Sequence, residues 1–353
     1  MDKKNNITDH SEEKLKIYKE YLRAYLEIMA LPVIKYKDIY VIEPFAGCGV
    51  SENGKDGSTI IAKNLIYSKL ADFKKTEKNI HLLLNELKKS NYDKLCKHVT
   101  GVPFVQTSNK DADIFINETE QNILSGHKLY FIDPHGYTQI QKDTYDNYIF
   151  NQTNKDIIIF IPIYQIYRFL KEGGTDVQLA PIKEFLTDIG ITALDVKNSH
   201  DYKVFTETIK RALQKNNKYV SYYLIDNEKA NNHYALFFMS NNHLGAEKFL
   251  ESIGKMKIPQ MQLFPSKNEE EFIKMLEYIS KKQKVSNRSL YVIGLRNSLL
   301  PPDVKRVLET LETNKKIIVR ELNGSGNKNS FYIGSKYLGI PPKIEVVWNE
   351  HKN

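Results

Sequence analysis

Tyr40-Val41-Ile42-Glu43-Pro44-Phe45-Ala46-Gly47-Cys48-Gly49 decides the fold. An apolar run stops at an acidic residue and enters a glycine-rich turn, which is how a doubly wound sheet presents its first strand to a nucleotide. Gly47 and Gly49 permit positive φ and a close backbone approach to a ligand, and Glu43 stands where a carboxylate could accept from a ribose hydroxyl or an amino group. The stretch does not spell G-x-G-x-x-G, and G-x-x-x-x-G-K-[ST] occurs nowhere in the chain. Dinucleotide and P-loop readings are therefore disfavoured.

Working outward, Ile17, Tyr18, Tyr21, Leu22, Tyr25, Leu26 and Met29 form one apolar stripe at helical spacing over 11–30, a helix that covers the sheet. A helix is expected over 58–70 and a second strand at 81–84 that ends in Asn85-Glu86. Glu86 is either the acidic residue that binds a ribose or a solvated opening to the next helix. A third strand over 102–106 precedes a polar cluster in which Asp111 either accepts from an adenine amino group or caps a helix beginning near Ile114. The fourth strand, 128–132, runs into Asp133-Pro134-His135-Gly136-Tyr137. An Asp-Pro at the end of a central strand aims its carboxylate into the crevice at the switch point. A fifth strand follows over 156–161, then a helical insertion over 163–217 that covers the active face, then an antiparallel hairpin of 219–225 and 234–239. These parts make an α/β, doubly wound, Rossmann-like, seven-stranded domain over 1–260.

The 353 residues carry 51 Lys and Arg against 43 Asp and Glu, a net charge of +8. Residues 266–353 hold sixteen basic and ten acidic side chains, so most of the surplus lies in the last quarter. That balance suggests a polyanionic partner. No run approaches the roughly 20 apolar residues needed to span a bilayer, and the polar N-terminus lacks a signal-peptide core, so a cytoplasmic protein without membrane contact is expected. Cys48 and Cys96 have no metal-ligand spacing, and no metal site is expected.

Past a linker near 261–266, helices over 269–282, 288–296 and 302–311 precede strands at 316–322 and 330–334 around an Asn/Gly/Lys tip at 323–328. Three helices and such a hairpin make a winged helix-turn-helix domain over 267–353. Its third helix and wing would put Lys305, Arg306, Lys315, Lys316, Arg320 and Lys328 on phosphates, unless the domain serves protein contact instead.

Taken together, Glu43-x-Phe45-Ala46-Gly47-x-Gly49, Phe131-Ile132-Asp133-Pro134-x-Gly136 and Ala235-Leu236-Phe237-Phe238-Met239-Ser240-Asn241-Asn242-His243-x-Gly245 resemble the three-Cys-motif partner protein (TcmP) family over most of the chain. The first string is similar to the S-adenosylmethionine loop of class I methyltransferases. The resemblance implies that fold, S-adenosylmethionine as cofactor at Glu43, Phe45, Ala46, Gly47, Gly49, Glu86 and Asp111, and a three-Cys-motif protein as partner in a bacterial or phage gene cluster. The chain departs from the family form at Glu43 (commonly Asp), Cys48 (commonly Pro) and His135 (commonly Phe).

In amino-methyltransferases of nucleic acids, Asp/Asn-Pro-Pro-aromatic grips the target amine and stacks on a flipped base. Asp133-Pro134-His135-Gly136 keeps the acceptor but lacks the second proline and the aromatic, for which His135 or Tyr137 could substitute. Two readings follow: a methyltransferase acting on DNA or RNA with Asp133, Pro134, His135 and Tyr137 at its transfer site, or a catalytically silent module of the same fold that docks a partner on nucleic acid.

Overall fold

Strand β1 (Asp38–Glu43) has its last three residues fully buried and pairs in parallel with two neighbours, β2 (Asn79–Asn85) and β4 (His127–Ile132). A continuous apolar run suits such a position, because a parallel strand covered on both faces has no solvent side. With β3 (Val105–Ser108), β5 (Lys155–Ile161), β6 (Tyr219–Asn227) and β7 (Asn232–Ser240), the order is β3-β2-β1-β4-β5-β7-β6. The first five strands are parallel, and β7 enters antiparallel between β5 and β6. This is a mixed seven-stranded, Rossmann-like sheet with flanking helices. The computed structural model describes residues 9–134, 139–150, 153–214, 217–227, 232–256, 266–322 and 331–349.

Alternation along the strands sorts side chains to two faces. One face is covered by α1 (Asp9–Met29), with α2 (Ser58–Lys75) packed beside it. Tyr18 stacks on Phe131 at 4.0 Å, and Tyr21 meets Phe238 edge-on at 5.0 Å. The tyrosine stripe is therefore core, with Tyr18, Tyr21 and Tyr25 at most 2% exposed. The opposite face carries Tyr130, Ile132, Ile157, Ile159, Ile161, Phe237 and Met239. It is packed by α4 (Ala112–Asn122), by the single turn α5 (Lys142–Thr144) continuing into a π-helical turn, and by three helices of the insertion, α6 (Ile163–Glu172), α7 (Asp176–Asp188) and α9 (Tyr202–Gln214). The helix α3 (Lys89–Val99) runs from β2 to β3, and α8 (Ala193–Asn198) joins α7 to α9. The insertion thus buries a face of the sheet. Tyr164 and Tyr202 of the insertion pack on His233 near the start of β7.

The chain divides into Met1–Asn241 and Asn242–Asn353. Helix α10 (His243–Gly254), inside the span 1–260 expected for the first domain, falls in the second unit, where the Tyr291 hydroxyl donates to Glu247. That unit continues with α11 (Lys267–Ser280), β8 (Val285–Ser286), α12 (Asn287–Arg296), α13 (Pro301–Thr313), β9 (Ile317–Glu321) and β10 (Ile344–Trp348). Its antiparallel sheet runs β8-β10-β9 over a core that includes Phe272, Leu276, Leu290, Leu308, Ile344 and Val346.

Two strands differ from the sequence reading. The third lies at Val105–Ser108 rather than 102–106, since the chain is still turning at Val102. The strand expected at 330–334 does not form among its described residues: Phe331 and Tyr332 sit at φ 49° and 51°, left-handed values that break an extended run, and β9 pairs with β10 instead. The expected wing tip, 323–328 with Lys328, lies outside the described residues.

Candidate functional site

The loop after β1 folds against the start of α2. Gly57 donates to the Gly49 carbonyl at 2.8 Å, and a Cβ on Gly57 would lie 2.7 Å from that oxygen, so only glycine lets the two segments close. Gly47 has φ +66°, and a Cβ there would meet nothing within 4 Å. The open space belongs to a cavity of about 170 Å³ lined by the 45–49 loop, Ser51, Gly57, Ser58, Asn91, Asp133 and three residues of α1, Ser11, Lys14 and Leu15. Over Gly47 a ligand could lie against the main chain of the loop.

Glu43 does not face this cavity. It is 0% exposed and accepts from the Tyr18 hydroxyl at 2.9 Å, Ser58 at 2.7 Å and Thr59 at 3.0 Å. The one Thr59 hydroxyl proton is shared with the Ala46 carbonyl, also at 3.0 Å, so Glu43 ties β1, α1 and α2 together and Thr59 links them to the loop. Burial pushes its carboxyl up to about 7, against those three hydrogen bonds, with Asp133 nearby adding to the rise. The expectation that Glu43 contacts a ribose or amino group is corrected accordingly: three hydroxyl donors already occupy it.

Glu86 is nearly buried and supports the loop from the other side, one oxygen accepting from Gly47 N at 3.0 Å and the other from Lys88 N at 2.8 Å. Each carboxylate oxygen keeps a lone pair, so a hydroxyl ligand could still be accepted. Leu87, directly after it, is 63% exposed. Asp111 is the N-cap of α4, accepting from Asp113 N at 2.9 Å, and does not line the cavity. Asn85 joins the loops by donating to the Pro44 and Lys110 carbonyls.

Asp133 ends β4 and lines the cavity, with Pro134 buried behind it. Its Oδ2 accepts from the Lys14 ammonium, which also stands 4.4 Å over the Phe160 ring. Lys14 escaped the sequence reading because it sits on the stripe-bearing helix, 119 residues away from its partner. Its place one turn before the apolar stripe, in line with Tyr18 and Tyr21, was the available signal. His135 and Tyr137 lie outside the described residues. The structure therefore brings Phe45, Ala46, Gly47, Gly49 and Asp133 around one cavity, places Glu86 behind Gly47, and leaves Glu43 and Asp111 off the cavity wall.

In the second unit, Arg306 contacts the buried Glu269 and lies 3.3 Å from Asp303. Lys305 is 3.6 Å from Glu309, and Arg320 is 3.9 Å from Glu345. Lys315 and Lys316 are exposed. Three of the five described candidate cations thus already face carboxylates. Among the described residues no cluster of three or more His, Cys, Asp or Glu could hold a metal ion, and no helix is long and apolar enough to cross a membrane.

No family model matches the chain, and no curated protein does. Solved structures give distant likenesses. A Legionella pneumophila protein of family-model DUF519 is 14% identical, with 69% of this chain and 90% of that one covered and a TM-score of 0.40. The plantazolicin methyltransferase BamL, solved with SAH, is 11% identical over 66% and 88%, with a TM-score of 0.30. The fibrillarin pre-rRNA processing protein of Methanococcus jannaschii is 12% identical over 59% and 68%, with a TM-score of 0.29.

Proposed function

We propose that this chain is an S-adenosylmethionine-dependent methyltransferase of the three-Cys-motif partner type, acting on an amino group of DNA or RNA together with a partner protein. The observation that carries the reading is the cavity itself: the Gly47 loop, with its positive φ and open space, and the carboxylate ending the central strand line one enclosure. S-adenosylmethionine would supply an activated methyl group. The residues fit it: Gly47 leaves room for backbone approach, Glu86 has lone pairs to spare for hydroxyls, and the exposed Leu87 offers apolar surface for a base. At about 170 Å³ the enclosed part is below the roughly 300 Å³ of a full small-molecule pocket, so only part of the cofactor would lie beneath α1.

Asp133 would accept an N–H of the acceptor amine and take its proton as the new N–C bond forms and the S–C bond breaks. Alignment supplies most of the acceleration in such a displacement. The second unit, with the order α11-β8-α12-α13-β9-β10, supports a winged helix whose α13 would meet nucleic acid, with Lys315, Lys316 and Lys328 as backbone contacts and Lys305, Arg306 and Arg320 exchanging carboxylates for phosphates.

A silent binding module is the second reading, favoured by one observation: the Asp133 carboxylate is already paired with Lys14. Calorimetry with S-adenosylmethionine and S-adenosylhomocysteine, followed by transfer of labelled methyl to total DNA and RNA, separates them. Binding is expected, and Gly47→Val should abolish it. Asp133→Ala should leave cofactor affinity within about twofold while lowering transfer by several orders of magnitude. No binding at millimolar ligand would end the cofactor assignment, and binding without transfer, partner added, would favour the silent module.

A further inference from the structure

Lys14 is buried, yet α1 does not need it for docking. Tyr18 on Glu43, Tyr21 on Asp156 at 2.8 Å and Tyr25 on His127 at 3.0 Å already fix that helix, and Tyr18 stacks on Phe131. Replacing both partners of such an ion pair by apolar residues is often neutral or stabilising, so the fold alone does not call for this pair. The pair therefore stands out as a polar feature placed in a cavity wall, with Lys14 and Asp133 both facing the enclosure that holds the Gly47 loop.

Together the two side chains present a defined pattern. Asp133 Oδ2 is engaged by the ammonium, whereas Oδ1 accepts no hydrogen bond among the described residues. An acceptor oxygen thus lies next to an ammonium that gives one proton to Oδ2, has two more to offer, and stands over the Phe160 ring. The complementary ligand edge carries an N–H donor beside a ring-nitrogen acceptor in one plane. That is the amidine edge of a 6-aminopurine or a 4-aminopyrimidine; a 6-oxopurine or a 4-oxopyrimidine presents the reverse pattern and would set acceptor against acceptor and donor against donor.

We infer that Lys14 and Asp133 form a base-reading pair, Lys14 donating to the ring nitrogen and Asp133 accepting from the exocyclic amine of adenine or cytosine. The inference rests on the reading of Asp133 as the residue that holds the acceptor amine, and it narrows the substrate to those two bases. Because the edge used is the one that pairs in a duplex, the base must be unpaired or flipped out to reach the site.

The test uses the full chain and four mononucleotides as probes, AMP against IMP and CMP against UMP, titrated calorimetrically with and without saturating S-adenosylhomocysteine. Wild type should bind AMP or CMP about tenfold or more tightly than its oxo counterpart. Lys14→Met should bring that ratio close to one both with and without S-adenosylhomocysteine, and Lys14→Arg should restore most of the preference. An equal affinity of wild type for amino and oxo partners overturns the proposal, as does a preference that survives Lys14→Met or a failure to bind any of the four at millimolar concentration. Tighter AMP binding by Lys14→Met also overturns it, by making Lys14 a plug instead of a reader. Where Lys14→Met does not fold, the wild-type ratio alone decides. Failure of S-adenosylhomocysteine to bind strikes the cofactor reading separately, since the base preference is also measured without it.

Discussion

Glu43 keeps its proton longer in the folded chain than in the unfolded one. Its carboxyl is raised from 4.5 to about 7, chiefly by burial. Between those values the native state binds a proton that the unfolded state has lost, so the stability it contributes is complete below about pH 4.5 and falls as pH rises, by about 3 kcal/mol over the window. His127 works in the opposite sense. Burial lowers its pKa from 6.5, so its contribution is present above that value and is lost as the pH falls. The wild-type curve mixes both, and the difference between wild type and Glu43→Gln isolates the carboxyl. Thermal melts should show the variant losing less stability than wild type from pH 5 to 7.5; parallel curves would mean that Glu43 is ionised in the folded protein. In the sequence this residue looked like a ligand because it ends the strand that leads into a glycine turn. What hid its true surroundings is distance: Tyr18 comes from 25 residues before it, and Ser58 and Thr59 follow by 15 and 16.

Elements on the far face are tied by a second buried carboxylate. Glu120 of α4 accepts from Lys128 of β4 at 2.8 Å, from Lys155 of β5 at 2.9 Å and from the Tyr130 hydroxyl at 2.5 Å. Burial alone would raise its carboxyl, but Lys155, Lys128 and Tyr130 together bring it below the usual range. Glu120→Gln leaves two buried ammonium groups without their anion and should cost about 3–5 kcal/mol. Chemical denaturation should register the loss, and a cost below about 1 kcal/mol would show that water reaches the pair. Such cross-element ties were not legible, whereas β1, β2, β4 and β5 were, because continuous apolar runs between turn residues suit strands covered on both faces. The same reasoning misplaced the last strand. Phe331-Tyr332-Ile333 has strand-like composition, but the chain turns there, while β10 follows Pro341-Pro342 with Ile344 and Val346 inward and Glu345 and Val347 less buried. Composition pointed to 331–333 and left 344–348 unread, and a strand is decided by the packing of its surroundings more than by local propensity.

Two units with separate cores imply separable stability. Residues 242–353 made alone should fold cooperatively, and a fragment that starts at 266 should melt several degrees lower, because Tyr291, 1% exposed, loses Glu247 as its hydroxyl's acceptor and His243 from its edge. Circular dichroism melts of the two fragments check this, and equal midpoints would detach α10 from that core. The general plan of the first unit could be read in order along the chain, yet the enclosure at its centre could not, for its roof and its floor are far apart in sequence. Helix α1 precedes every strand, but Lys14 waits for Asp133, Tyr21 for Asp156 135 residues later, and Glu13 for Tyr223 210 residues later. During translation this helix leaves the ribosome with its tyrosine stripe uncovered and has no complete docking surface until the final hairpin has been made. Contacts of such long range form late and slowly. The nascent chain must therefore carry an exposed aromatic helix through most of its synthesis, and a chaperone that holds amphipathic helices would find its target in the first thirty residues.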